Sequence, residues 1–364
     1  MLGCLIRFWQ RYLFNFAPKI DRSLKKIASY FLFLGIAALL LYFSFREIQW
    51  SDFWVDVKNA EVTWIVLSMG CGVAAFWVRS MRWRMLIQGA GYRVKKGDAF
   101  DAVNIAYLTN FALPRAGEVA RCGVLAKTAH VPFDALLGTV ALERVFDVVC
   151  LAVCTGLVIA LKWSIFGVFM EEQIWMPFVH TMNNKTVYFV VFLLILLLLF
   201  ALAYLYWGRL QKMVLFKKLN NLTAGIIRGI KSGFVMKRKG AFAGYTLALW
   251  FLYWSTSWCT ILAFQAVASL SPLDALFLMV VGSLGWLVPV QGGIGAFHFV
   301  VSLALTSVYA LGQTQSMAFA TISHESQAVA MILFGLYSMA RVGWVTKKTA
   351  KKGVGYFPDA SSTK

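Results

Sequence analysis

The sequence predicts an all-α polytopic membrane protein, and three observations predict it. Apolar residues make up 60% of the 364-residue chain, charged residues make up only 14%, and the remaining charge lies between long apolar runs. A soluble domain holds roughly 45–50% apolar and about 25% charged residues, so this composition does not supply a water-facing surface. The mean hydropathy of +0.70 agrees with that.

The elements follow from the thickness of a bilayer. About 20 apolar residues, rising 1.5 Å each, cross roughly 30 Å of hydrocarbon. Six segments meet that demand: 27–45, 62–81, 135–161, 187–207, 241–263 and 319–341. Two further apolar regions, 99–130 and 274–311, are interrupted near their centres by Pro and Gly. Each is too long for one helix and too broken for two full crossings.

Loop charge sets the orientation, because Lys and Arg accumulate on the cytoplasmic side. The tail 1–26 holds Arg7, Arg11, Lys19, Arg22, Lys25 and Lys26 against Asp21, so it stays cytoplasmic. The loop after the first span holds Arg46 and Lys58 against Glu47, Asp52, Asp56 and Glu61, and lies outside. Arg82, Arg84, Arg93, Lys95 and Lys96 mark a cytoplasmic return, as do the basic segment 208–240 and the tail 345–364. These assignments close only if neither broken region changes sides. Region 99–130 then enters and leaves from the cytoplasm, and region 274–311 from outside. The expected architecture is six spanning helices plus two oppositely oriented re-entrant helical hairpins, as in inverted-repeat transporters with a midplane site.

The formal net charge of +19 fits the anionic inner leaflet, since the basic residues flank apolar segments; no nucleic-acid partner is expected. Segment 208–240 interleaves Leu210, Met213, Val214, Leu219 and Ile226 with its cations, as a basic amphipathic helix on the inner leaflet does. A soluble acidic partner is the alternative occupant. The six cysteines contain no Cys-x-x-Cys pair and read as packing residues, with no metal site indicated. The N-terminus reads as lacking a signal peptide, because its first apolar run is too long for one. Walker loops, Gly-x-Ser-x-Gly elbows and metal-spaced Cys/His sets are absent, so neither cofactor nor catalytic residue is expected.

Chemistry concentrates at the two breaks. Pro114 stops an incoming helix, and Arg115, Glu118 and Arg121, spaced by three, share a face of the helix expected to follow. The group suits a phosphate, or forms an internal ion-pair network that pins the hairpin. Glu143, Arg144 and Asp147 in the third span offer balancing charge, with Glu143 or Asp147 expected to pair with Arg115 or Arg121. In the second break, Gly292, Gly293 and Gly295 permit positive φ and close backbone approach. Gln291 and His298 either line a polar path there or are hydrogen-bonded core groups. His324-Glu325 lacks the second His of a metalloprotease helix, and a proton relay or structural pair fits it better than zinc.

Three motifs, LPRAGEVAR (113–121), LERVFD (142–147) and PVQGGIGAFH (289–298), resemble the flippase-like integral membrane family defined by the transmembrane region of lysylphosphatidylglycerol synthases. The resemblance runs from about 27 to 344 and implies lipid handling. In bifunctional members a domain of this type moves an aminoacylated phospholipid outward, while a separate soluble domain makes it. This chain leaves no room for such a synthase domain and resembles the stand-alone members. Arg115, Gly117, Glu118 and Arg121, then Glu143, Arg144 and Asp147, fall on the family's polar positions. His298 stands where relatives often carry an acid, and His324 where many carry Arg or Tyr. The expected function is translocation of an anionic phospholipid or lipid-linked headgroup in the cell membrane. An intramembrane enzyme, or a non-catalytic partner of a lipid or glycan synthase, is the alternative.

Overall fold

The computed structural model describes residues 22–163 and 238–351, with a few positions between 167 and 179. Among the described residues there are ten α-helices and no strands. They are α1 (Arg22–Phe45), α2 (Trp50–Asn59), α3 (Val62–Gly89), α4 (Lys96–Ala112), α5 (Gly117–Thr128), α6 (Phe133–Leu161), α7 (Lys239–Ala263), α8 (Pro272–Leu287), α9 (Ala296–Tyr309) and α10 (Gln313–Lys351).

Local chemistry explains the boundaries. Ser271 caps α8 in a reciprocal capping box with Asp274, and Pro272 sits at the first helical position, where its missing N–H costs nothing. Pro114 falls in the gap between α4 and α5, and Pro132 immediately precedes α6. Gly292 and Gly295, at φ 58° and 82°, supply the left-handed backbone that turns the chain between α8 and α9.

Helix ends gather into two groups. On one side the Glu61 amide donates to the Ala263 carbonyl at 2.8 Å, and the Gln49 amide to Thr314 Oγ1 at 3.3 Å. The same side holds Asp274, which takes Lys162 Nζ at 3.0 Å and the Tyr309 hydroxyl at 2.8 Å. On the other side Arg84 Nε donates to the Val94 carbonyl at 2.6 Å, and Arg341 Nε lies 3.3 Å from Asp101 Oδ2. The pair α4/α5 therefore opens toward the second group and the pair α8/α9 toward the first.

Five expected spans coincide with α1, α3, α6, α7 and α10; 187–207 and nearly all of 208–240 lie outside the described residues. The two broken regions are helical pairs with their breaks at 113–116 and 288–295. Length and composition qualify four segments among the described residues to cross a bilayer: Val62–Gly89, Phe133–Leu161, Gln291–Tyr309 and Gln313–Thr346. Lys239–Ala263, expected as a span, is absent from that set because Trp, Tyr, Ser and Thr dilute its apolar run. Gln291–Tyr309, expected as part of a hairpin, is in it. Helix α3 also continues eight residues past the expected end at 81, which draws Arg82 and Arg84 into the helix.

A large apolar core packs α8, α9 and α10 with α7, and a second core fills the space among α3, α4, α5 and α6. Outward faces stay apolar: Val145, Val149 and Val153 on α6, Leu247 and Phe251 on α7, and Leu333 and Leu336 on α10 are all exposed. So wide an apolar exterior suits hydrocarbon, not water.

The α8–α9 contact depends on missing side chains. A Cβ on Gly285 would lie 2.8 Å from Phe297 Cα, whereas one on Gly70 would meet open space. Gly285→Ala is therefore expected to destabilise the protein by about 1–3 kcal/mol through overpacking, and Gly70→Ala to leave it unchanged. Thermal unfolding in detergent, followed by tryptophan fluorescence, checks the difference.

Candidate functional site

Ionisable groups are rare in apolar helices because a charge at membrane depth is costly. Here five of them meet. Glu143 stands ten residues into α6, about 15 Å along the axis from its start. Its carboxylate takes Arg121 Nη1 at 2.7 Å from α5, and Arg79 Nε at 3.0 Å and Arg82 Nη2 at 3.1 Å from α3. Asp147, one turn further along α6, takes Arg79 Nη2 at 3.0 Å and Arg82 Nη2 at 2.5 Å. The side chains of Arg82 and Glu143 are fully buried. Tyr253 on α7 receives Arg79 Nη1 at 3.0 Å, so four helices contribute. Arg121 also lies over the Trp83 ring, 4.5 Å from its centroid, and Trp83 Nε1 donates to Thr139 Oγ1 at 3.0 Å.

Three guanidiniums face two carboxylates in this cluster. Its donors are not all used: Arg82 Nε, Arg82 Nη1 and Arg121 Nη2 are buried with no hydrogen-bond partner among the described residues. The expected pairing of Arg121 with Glu143 is present. Arg115 pairs with neither acid. It precedes α5, takes φ 61°, and its guanidinium donates to the Leu287 carbonyl at the end of α8. Helix α5 begins only at Gly117, so Arg115 does not share a helix face with Glu118 and Arg121. Glu118 is half-buried and outside the cluster. Arg144 lies at the rim, 3.5 Å from Asp147 Oδ2, with its side chain 44% exposed.

Arg79 and Arg82 are the residues that sequence reasoning missed. Their signal was available: they are three apart, so on a helix that continues past 81 they share one face. Taking Arg82 as a loop charge hid it.

The second break forms a separate polar group. Gln291 is buried with neither side-chain amide atom partnered among the described residues. His298 on α9 and His324 on α10 are both buried, with ring centroids 4.9 Å apart. His324 Nε2 bonds the Gly292 carbonyl at 2.9 Å, and its Nδ1 lies 2.9 Å from Glu325 Oε1. His298 Nε2 is 3.6 Å from the same carboxylate oxygen. Gly292 packs so closely on Phe111 of α4 that a Cβ there would stand 2.5 Å from the ring. Through that contact and Arg115–Leu287 the two breaks touch; Arg121, Glu143 and Asp147 fall in one cluster and His298 and His324 in the other, with Arg115 between the tips and Glu118 in neither.

Comparison with known proteins bears on both clusters. The family profile described as the lysylphosphatidylglycerol synthase TM region matches residues 30–335, which contain both clusters. A glycosyltransferase, AglD of Haloferax volcanii, is 27% identical over 158 residues, covering 43% of this chain and 24% of that protein. The chain thus matches about a quarter of that relative's length. No solved structure matches.

The geometry separates real couplings from nominal ones. In a double-mutant cycle, Arg121→Ala and Glu143→Ala should show a coupling of about 0.5–3 kcal/mol. Arg115→Ala and Asp147→Ala, which share no partner, should add within about 0.5 kcal/mol. Equilibrium unfolding in detergent measures both cycles.

Proposed function

The chain belongs to the lysylphosphatidylglycerol synthase transmembrane-region family as an integral multi-pass membrane protein, and on that premise we propose that it moves an anionic lipid headgroup between leaflets. The observation that carries this reading is the set of unused guanidinium nitrogens on Arg82 and Arg121. A buried donor left without an acceptor costs about 1–3 kcal/mol, and more when it is charged. A phosphate group answers that cost, because its oxygens match the guanidinium fork and its charge balances the excess of arginine.

The topology we assign has six spanning helices, counting 187–207, and two re-entrant pairs. The pair α4/α5 enters from the cytoplasm and α8/α9 from outside, with both termini cytoplasmic. The grouping of helix ends supports this assignment, as does the loop charge. A headgroup that passes between leaflets then crosses the contact between the two tips, where Arg115 must release the Leu287 carbonyl. The acyl tails stay in the surrounding lipid while Arg121, Glu143 and Asp147 exchange partners with the phosphate. The cations of segment 208–240 and of the basic tails suit anionic inner-leaflet lipid and a synthase that supplies the cargo; most of these residues lie outside the described ones. We assign no catalytic residue: the lipid leaves chemically unchanged.

A second cargo of the same chemistry is a sugar linked to lipid through a phosphate, which the arginine cluster would meet in the same way; that a relative is named a glycosyltransferase is the reason to test it. Vesicles containing the purified chain and either labelled phosphatidylglycerol or a labelled polyprenyl phosphate distinguish the two. Leaflet exchange of at least one unaltered lipid is expected, and Arg121→Gln should slow it about ten- to a hundredfold, the equivalent of a lost charge-assisted hydrogen bond. Exchange no faster than in protein-free vesicles, for both lipids, overturns translocation. A chemically altered lipid would assign the chain to intramembrane catalysis instead.

A further inference from the structure

We propose that His298, His324 and Glu325 bind a divalent transition metal of the zinc type. The inference starts from hydrogen bookkeeping. A carbonyl oxygen can only accept, so the 2.9 Å contact with Gly292 places the hydrogen of neutral His324 on Nε2. Its Nδ1 then turns a lone pair toward Glu325 Oε1, 2.9 Å away. Two acceptors at that separation need a cation between them.

A proton would satisfy this pair alone. It would leave His298 unserved, whose Nδ1 is buried without a partner and whose Nε2 comes no closer to Glu325 than 3.6 Å. One metal ion takes His298 Nε2, His324 Nδ1 and Glu325 Oε1 together, while His298 Nδ1 keeps its hydrogen without an acceptor among the described residues. Their ligand atoms lie within 4.8 Å of one another. Zinc bonds of about 2.0–2.2 Å in a tetrahedron separate neighbouring ligands by roughly 3.4 Å, and the separations of 2.9 and 3.6 Å fall on either side of that value.

The surroundings have the character of a metal site. A metal-bound His ordinarily donates its other ring N–H to a carbonyl or carboxylate, as His324 does to Gly292. Trp286 and Phe297 pack on the His324 ring at 5.3 Å each and fix its plane. Two imidazoles and one carboxylate suit zinc and its neighbours in the first transition row. Glu325 is half-exposed, so the cluster leaves a fourth position open on that side. A dication also compensates a carboxylate held on the long apolar helix α10. The site stands independently of the translocation reading.

The test uses the full chain, purified without a polyhistidine tag, stripped with a chelator and titrated with zinc in detergent by calorimetry. One ion per chain is expected, with a rise in melting temperature on zinc addition and, on cobalt substitution, the visible bands of a tetrahedral centre. Glu325→Gln, at the exposed edge of the cluster, and His298→Ala should each weaken binding by more than about tenfold, and neither variant should be stabilised by zinc. Equal affinity in wild type and Glu325→Gln would place the metal elsewhere, at His130, His180 or cysteine, and overturn the proposal. No binding by wild type would overturn it as well, leaving His324 and Glu325 as a proton-sharing pair.

Discussion

Two carboxylates held among three guanidiniums, away from water, are the constraint on which much of the first half of this protein depends. Desolvating such ions is expensive, and mutual attraction repays it only where geometry and additional hydrogen bonds are good. Glu143 therefore has to face α3 and α5 at once, and α3 has to run past residue 81 so that Arg79 and Arg82 present the same face to α6. The Trp83 ring, fully buried and tied to Thr139, gives Arg121 a flat surface to lie on while its fork reaches Glu143. A fully satisfied network would act only as a staple. This one leaves Arg82 Nε, Arg82 Nη1 and Arg121 Nη2 without a partner among the described residues, which is why an anion is proposed for it.

A second constraint comes from the breaks in the two helical pairs. Backbone polar groups without a helical partner need another one wherever water is scarce. Asn110 Oδ1 accepts from the Gly117 amide at 2.8 Å, so α5 starts with its first donor already engaged. The Leu287 carbonyl, at the negative end of α8, receives the Arg115 guanidinium. The Gly292 carbonyl accepts from His324 Nε2. One of these three partners, Arg115, comes from the other helical pair, and another, His324, from α10. Neither tip can separate from the other without exposing a polar group, so movement of one pair is linked to movement of the other.

The helices were legible because a long apolar run has few alternatives, and Pro114 and the glycines after Pro289 marked the breaks. The pairing of Arg121 with Glu143 was legible too, as two buried charges of opposite sign in search of partners. Arg79 and Arg82 were not, because a cation near the end of an apolar run looks the same whether it flanks a helix or turns inward. Only the neighbouring carboxylates decide between the two. Arg115 was misplaced for a local reason: helical spacing assumes helical backbone, and its φ of 61° takes it off the expected face. The meeting of His298 with His324 and Glu325 depends on how α9 and α10 pack, which linear spacing does not encode.

The two clusters are related by more than proximity. Helices α3 to α6 and α7 to α10 run through the same order: a long helix, a pair broken after a Pro-x-x-Gly step at 114–117 and 289–292, and another long helix. Contacts respect an exchange of the halves, since α4 packs on α10 as α8 packs on α6, and α3 packs along α7. Within that frame the arginine cluster joins the second arm of the first pair to the following long helix, through Arg121 and Glu143. The histidine cluster joins the second arm of the other pair to its following helix, through His298 and Glu325. Glu143 stands ten residues after Phe133 and His324 eleven after Gln313, so the acid and the imidazole lie at similar distances from the starts of their helices. The fold thus places a polar group twice, once with three guanidiniums around two carboxylates and once with two imidazoles beside one carboxylate.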